Sequence, residues 1–176
     1  MPLLTTFLMA SHRCAPRAGL CAFAERSADQ KRIVITALDL VKGRGRELVH
    51  FDFAVPTEFY VWDISLDASR IALLQAALGK IVILPVETRG ERRDFTVKSW
   101  KGLASFDWTA DGSGFFSSAL TARGSVLLRV DVNGDARVLW EVRGGTSVWA
   151  VPSPDGQHLV LSSFLVGGNI WTIKDF

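Results

Sequence analysis

Asp63 follows Trp62 and Asp107 precedes Trp108, so two carboxylates sit beside indole rings just ahead of turn-forming residues. A carboxylate pair can divide general-acid and general-base work, but only if the fold brings both into one cleft. Spacing alone does not decide that. His12, His50 and His158 are scattered, with no H-x-H or H-x-x-x-H pattern, so a metal site would need them to converge by folding alone. Serine is plentiful, yet no G-x-S-x-G elbow occurs and no Ser-His-Asp set stands out. The expectation is a chain that is not an enzyme and takes no cofactor and no metal.

Two further groups invite a chemical reading. Cys14 and Cys21 are the only cysteines; C-x6-C is not a zinc pattern and no second pair completes four ligands. They are either small buried core residues or a disulfide across a hairpin. A bridge would favour an oxidising, extracytoplasmic or periplasmic setting. Lys42-Gly43-Arg44-Gly45-Arg46 is the one concentrated basic run. Its Gly-x-Gly lacks the third glycine and the strand-to-helix setting of a dinucleotide site. A solvated hairpin loop accounts for it; as contacts to phosphate or an acidic partner, Lys42, Arg44 and Arg46 are the candidates. Residues 89–93, with Glu87 and Glu91, are charge-mixed and read as an exposed turn.

Composition narrows the classes. Twenty Lys and Arg against eighteen Asp and Glu leave a net charge of +2, too little to argue for nucleic acid. A hydrophobic content of 48% excludes a disordered chain. No run reaches the roughly 18 apolar residues of a membrane span. Residues 3–10 are apolar but short, and no Lys or Arg precedes them, so no convincing export signal is written there.

What must position these residues is a repeat. The stretches 62–72, 106–116 and 150–160 are copies of one another, and their aspartates, Asp67, Asp111 and Asp155, are 44 residues apart. A short-strand repeat of about 40–50 residues marks a β-propeller blade. In each copy an apolar strand ends at Ser65, Thr109 or Ser153, and a turn centred on the Asp follows. Gly112 and Gly156 come next, where Ala68 departs. Asp and Ser hold such turns by bonding to nearby backbone N–H groups, and Gly tolerates positive φ. These aspartates and glycines are therefore read as turn builders. Strands resume at Ile71, Phe115 and Leu159. Third strands are expected at 80–86, 125–132 and 169–173, and fourth strands at 94–98 and 137–141. In the second copy Val126, Leu128 and Val130 alternate with Leu127 and Arg129, the pattern of a half-buried strand. Residues 71–78 have good helix propensity, but the repeat register requires a strand at their start, with room for a short helical turn near Ala76. Asn133-Gly134 is a strong hairpin signal. Trp62, Trp108, Trp149 and Trp171 are expected to pack between blades rather than face a ligand.

The first part of the chain is less regular. Ser27-Ala28-Asp29-Gln30 imitates the Asp turn, but lies 38 residues before Asp67. Four strands at 11–15, 20–26, 32–39 and 46–53 give a blade with Cys14 and Cys21 on its first two strands. The whole chain, 1–176, then reads as one all-β propeller segment with approximate blades at 11–53, 59–98, 103–141 and 146–176. The expected ring is incomplete; residues 3–9 would be a fourth strand of a preceding blade or a surrogate closing strand.

Ser153-Pro154-Asp155-Gly156, with Trp149 before it and Leu159-Val160-Leu161 after, resembles the TolB-like, WD-repeat-like propeller family. Ser65-Leu66-Asp67-Ala68 and Thr109-Ala110-Asp111-Gly112 are degenerate relatives of the motif. Gly168-Asn169-Ile170-Trp171-Thr172-Ile173 looks like a third strand of such a blade. The resemblance covers 55–176 well and 11–53 weakly. It implies the C-terminal propeller part of a large bacterial protein, of the kind that follows a winged-helix domain or a protein kinase. No P-loop, kinase signature or helix-turn-helix is readable here. The implied function is a non-catalytic binding or sensor module with a protein or peptide partner, no nucleic acid and no membrane span in this segment. The alternative is an accessory propeller of a prolyl-oligopeptidase-type serine peptidase. Fold transfers across such a resemblance; activity does not.

Overall fold

A computed structural model describes residues 12–29, 31–39, 41–52, 60–87 and 90–165. The strands expected at 3–9 and 169–173, with Trp171, lie outside the described residues. All regular structure in the described part is β. One antiparallel sheet is β1 (His12–Ala15), β2 (Leu20–Arg26), β3 (Arg32–Asp39) and β4 (Gly43–Asp52), and a second is β5 (Tyr60–Ile64), β6 (Arg70–Gln75), β7 (Lys80–Pro85) and β8 (Arg93–Thr96). The third is β9 (Leu103–Trp108), β10 (Gly114–Thr121), β11 (Gly124–Asp131) and β12 (Ala136–Arg143). The fourth is described as the pair β13 (Gly145–Pro152) and β14 (Leu159–Leu165). Strands within each sheet are neighbours in sequence, and successive sheets touch through their first strands, β1 to β5, β5 to β9 and β9 to β13.

Alternation along the strands explains the stacking. Trp62 and Ile64 of β5, Ile71 and Leu73 of β6, and Val82 of β7 pack on Ala22, Ile33, Ile35 and Phe51 of the first sheet. The interleaved Val61, Ala72, Leu74, Ile81 and Ile83 pack on Phe106, Trp108, Phe115 and Leu128 of the third. The second sheet is thus buried on both faces. That is why residues 70–75, despite their helix propensity, form a strand: a two-faced apolar run is satisfied by a central sheet. A plain turn over 76–79 follows.

The half-buried reading of β11 needs correction. Val126, Leu128 and Val130 face the second sheet, but Leu127 is buried too, against Val148 and Ala150 of the fourth. The third sheet is therefore also covered on both faces. A second correction concerns the basic run. The turn ends at Lys42, because Asp39 Oδ1 accepts the N–H groups of Val41 (2.8 Å) and Lys42 (2.9 Å). Strand β4 starts at Gly43, and irregularities around Thr36 keep Arg44 opposite Leu38. Arg44 is a strand residue, not a loop residue, and Arg46 lies within the strand, where the expected strand 46–53 begins.

The Asp turns share one construction. Asp67 Oδ1 accepts from the Ser65 hydroxyl (2.6 Å), the Ser69 N–H (3.1 Å) and the Ser69 hydroxyl (2.8 Å). Asp111 does the same with Thr109 (2.6 Å) and Ser113. Asp155 accepts from the Ser153 hydroxyl and the Gln157 N–H. The residue after each Asp is left-handed, with φ of 66° at Gly112, 73° at Gly156 and 57° at Ala68. Ala68 bears a penalty that the glycines avoid. Ala68→Gly is expected to stabilise the protein by about 0.5–1 kcal/mol, the relief being larger than the added chain entropy. Urea denaturation checks this; a loss of stability would mean that packing of the Ala68 methyl outweighs the strain.

Candidate functional site

The first strands bring four side chains to a common axis: Arg13 from β1, Asp63 from β5, Asp107 from β9 and Trp149 from β13. Asp63 and Asp107 occupy the same place in the repeat, four residues before Asp67 and Asp111. Each reaches across to the next sheet. Asp63 Oδ2 accepts the Trp108 backbone N–H at 2.8 Å, and its Oδ1 accepts the N–H of Ile64 at 2.9 Å. The Trp149 side chain lies beside the Asp107 carboxyl and favours its ionised form. The third copy has Val151 at this place, 49% exposed.

The two carboxylates lie close enough to repel. Asp63 is 9% and Asp107 8% exposed, and Oδ2 of Asp107 is buried with no hydrogen-bond partner among the described residues. Arg13 is the nearby cation. Its Nε lies 3.5 Å from Asp63 Oδ1, too long for a hydrogen bond, and its guanidinium sits 5.8 Å from the Trp149 ring centroid. Burial pushes the Asp63 carboxyl up, against the opposing pull of the Trp108 N–H, Arg13 and the Ile64 N–H. Burial also pushes Asp107 up, and the charge on Asp63 adds to it, with Arg13 and Trp149 opposing. Asp63 has more donors, so it is the better-held carboxylate and Asp107 is the one that retains a proton. Such an arrangement can store one proton or receive one cation.

The Asp turns mark one end of this axis. The β1–β2 turn is tied to them: the Arg17 N–H donates to Leu66 O (3.2 Å), Nη1 to Ala110 O (3.3 Å) and Nη2 to Pro154 O (2.6 Å). A groove of about 510 Å³ opens there, lined by Arg17, Asp111, Phe116, Arg129, Gln157 and His158 among others.

Other residues singled out by sequence fall elsewhere. Cys14 and Cys21 are directly opposed on β1 and β2, Cα atoms 4.0 Å apart, and bonded. They clamp the short hairpin that carries Arg13 and Arg17. Lys42, Arg44 and Arg46 lie at the outer edge of the first sheet, three strand spacings or about 14 Å from β1. Arg44 is engaged with Glu25 (3.0 Å) and lies over the Phe23 ring. His50 pairs with Glu47 (2.8 Å), while His158 lines the groove. Among the described residues no group of three or more His, Cys, Asp and Glu side chains is placed to hold a metal ion. Trp62 and Trp108 are packed between sheets, whereas Trp149 combines partial packing with the axial contacts. Arg13, Arg17 and Arg129 were missed by sequence reasoning. The matched repeat position of Asp63 and Asp107 was the available signal for an axial site.

Sheets of this kind, stacked through their first strands about an axis, match the crystal structure of TolB from Acinetobacter baumannii. The TM-score is 0.61 at 20% identity, over 88% of this chain and 37% of that one. The fold is a TolB-like β-propeller. A second match to the propeller is hydrazine synthase of Kuenenia stuttgartiensis, with a TM-score of 0.54 at 15% identity, over 82% of this chain and 40% of that one. The propeller segment spans about two-fifths of the structures it matches. At these identities the likeness concerns the propeller fold alone. No family model and no curated protein matches the chain. Among the described residues of the propeller no helix is long and apolar enough to cross a membrane.

Proposed function

We propose that this propeller segment is a non-catalytic binding module of a larger bacterial protein, and that it engages a protein or peptide partner through the turn-bearing end of its blades. The supporting observation is that the β1–β2 turn is tied to all three Asp turns at that end, and that the Asp111 and Asp155 turns line one groove with Arg17. Backbone locked in this way loses little entropy on association, which favours binding without rearrangement. The bonded Cys14 and Cys21 fit an oxidising compartment.

A peptide array probed with the purified chain tests the reading. Gln157 lines the groove, is exposed, and contributes to its turn only through the backbone N–H. Gln157→Trp fills the groove and is expected to weaken captured peptides at least about tenfold. Stability should stay within about 0.5 kcal/mol. Peptide binding that ignores this substitution, or an array without signal, would overturn the reading.

A further inference from the structure

At the axis two carboxylates face one guanidinium, so full ionisation leaves the cluster one positive charge short. Asp63 is provided for by Trp108, Ile64 and Arg13. Asp107 is not: the Trp149 side chain favours its ionised form, but Oδ2 is buried without a donor among the described residues. Arg13 does not supply that donor. Among the described residues its Nε also lacks a hydrogen-bond acceptor, and its Nη1 donates only to the carbonyl of His12, at 3.4 Å. Arg13 is thus held by its ion pair with Asp63 and by the Trp149 ring, with no hydrogen bond to either carboxylate among the described residues.

We infer that the propeller axis is a receptor for a basic side chain, and that a lysine or arginine of the partner displaces Arg13 from the Trp149 face and donates to the free oxygen of Asp107. The inference rests on the binding-module reading and names the chemistry of its partner. A carboxylate oxygen beside an indole face selects an ammonium or guanidinium, which gains a charge-assisted hydrogen bond and a cation–π contact together. An anion would meet two carboxylates. A neutral amide would satisfy the oxygen but leave the charge unbalanced.

The test follows the Trp149 indole N–H signal of the ¹⁵N-labelled full chain, assigned through Trp149→Phe. The probe is N-acetyl-arginine N-methylamide, and the control is its neutral citrulline isostere. A saturable shift is expected with the arginine probe and none with citrulline. Asp107→Asn should weaken the probe by about tenfold or more, and Arg13→Ala should tighten it by about threefold or more. Calorimetry at pH 7 in buffers of different ionisation enthalpy should show proton release on binding. Asp107 is the group that gives up the proton, with Asp63, Arg13 and Trp149 as its neighbours. An equal response to citrulline, or a probe affinity unchanged by Asp107→Asn, overturns the inference. Array peptides bound without any basic residue, with a silent axis, overturn it while leaving the module reading intact. A responsive axis with a silent array overturns the module reading alone.

Discussion

Trp108→Ala is expected to destabilise the protein by about 3–5 kcal/mol, the largest loss from any single truncation considered. Trp108 is 2% exposed and its ring lies 4.2 Å from that of Phe115, which in turn stacks at 4.6 Å on Phe106. The Arg70 guanidinium covers it at 4.6 Å, and its indole N–H points to Asp63 O at 3.4 Å. Truncation removes a wedge between the second and third sheets, and neither sheet can close the gap without breaking its own ladder. Equilibrium urea denaturation measures the loss. Trp140→Ala is the control: Trp140 is 41% exposed on the outermost strand β12, so its removal should stay within about 0.5 kcal/mol. Losses of similar size at both positions would contradict the wedge.

Asp107→Asn should act in the opposite direction and stabilise the protein, by about 1–4 kcal/mol in alkali. The Asp107 carboxyl titrates above its ordinary range in the fold, through burial and the charge of Asp63. From about pH 4 upward the folded state then holds a proton that the unfolded chain has released. Stability that is present at low pH is lost as pH rises through the folded value. Asparagine does not titrate, and its amide offers Asp63 a donor. The gap between variant and wild type should therefore widen from pH 5 to pH 9. A constant gap, or one that narrows, would mean that the two carboxylates do not share a buried axis. The Asp turns respond with the other sign. At Asp67 burial works against ionisation, but the Ser65 and Ser69 donors outweigh it and hold the carboxyl at about 2. At Asp111 the Thr109 hydroxyl and the Ser113 donors hold it at about 2 as well. Their contribution is present above about pH 4 and fades only as pH falls toward 2. Measurements above pH 5 isolate Asp107 from them.

Most of the architecture was readable from local chemistry. The Asp turns need only residues two apart, and the strands after them need only alternation, so Asp67, Asp111 and Asp155 located the repeat without any tertiary information. Strands 20–26 and 32–39 were legible for the same reason. The departures are those in which a distant sheet decides. Leu127 looked like a solvent-side residue until Val148 and Ala150 covered it. Arg44 looked like a loop residue, because register shifts opposite Thr36 leave no trace in composition. The axial cluster was half legible. Asp63 and Asp107 share a repeat position, but Arg13 lies outside the 44-residue period, and nothing local marks it as their counter-charge. Only the stacking of first strands sets these groups together.

The ties made by Arg17 have a consequence for synthesis on the ribosome. Pairing within each sheet joins strands that are neighbours in sequence, so every sheet can form soon after it emerges. Arg17 must wait. Its acceptors, Ala110 O and Pro154 O, lie 93 and 137 residues downstream. Trp149, against which Arg13 rests, is equally late in the chain. The β1–β2 hairpin is thus fastened long after it is made, and the fourth sheet serves as its latch. A nascent chain stalled before residue 149 would lack the Trp149 ring for Arg13 and the Pro154 carbonyl for Arg17, leaving each guanidinium with its earlier contacts, among them Asp63 for Arg13 and Ala110 for Arg17.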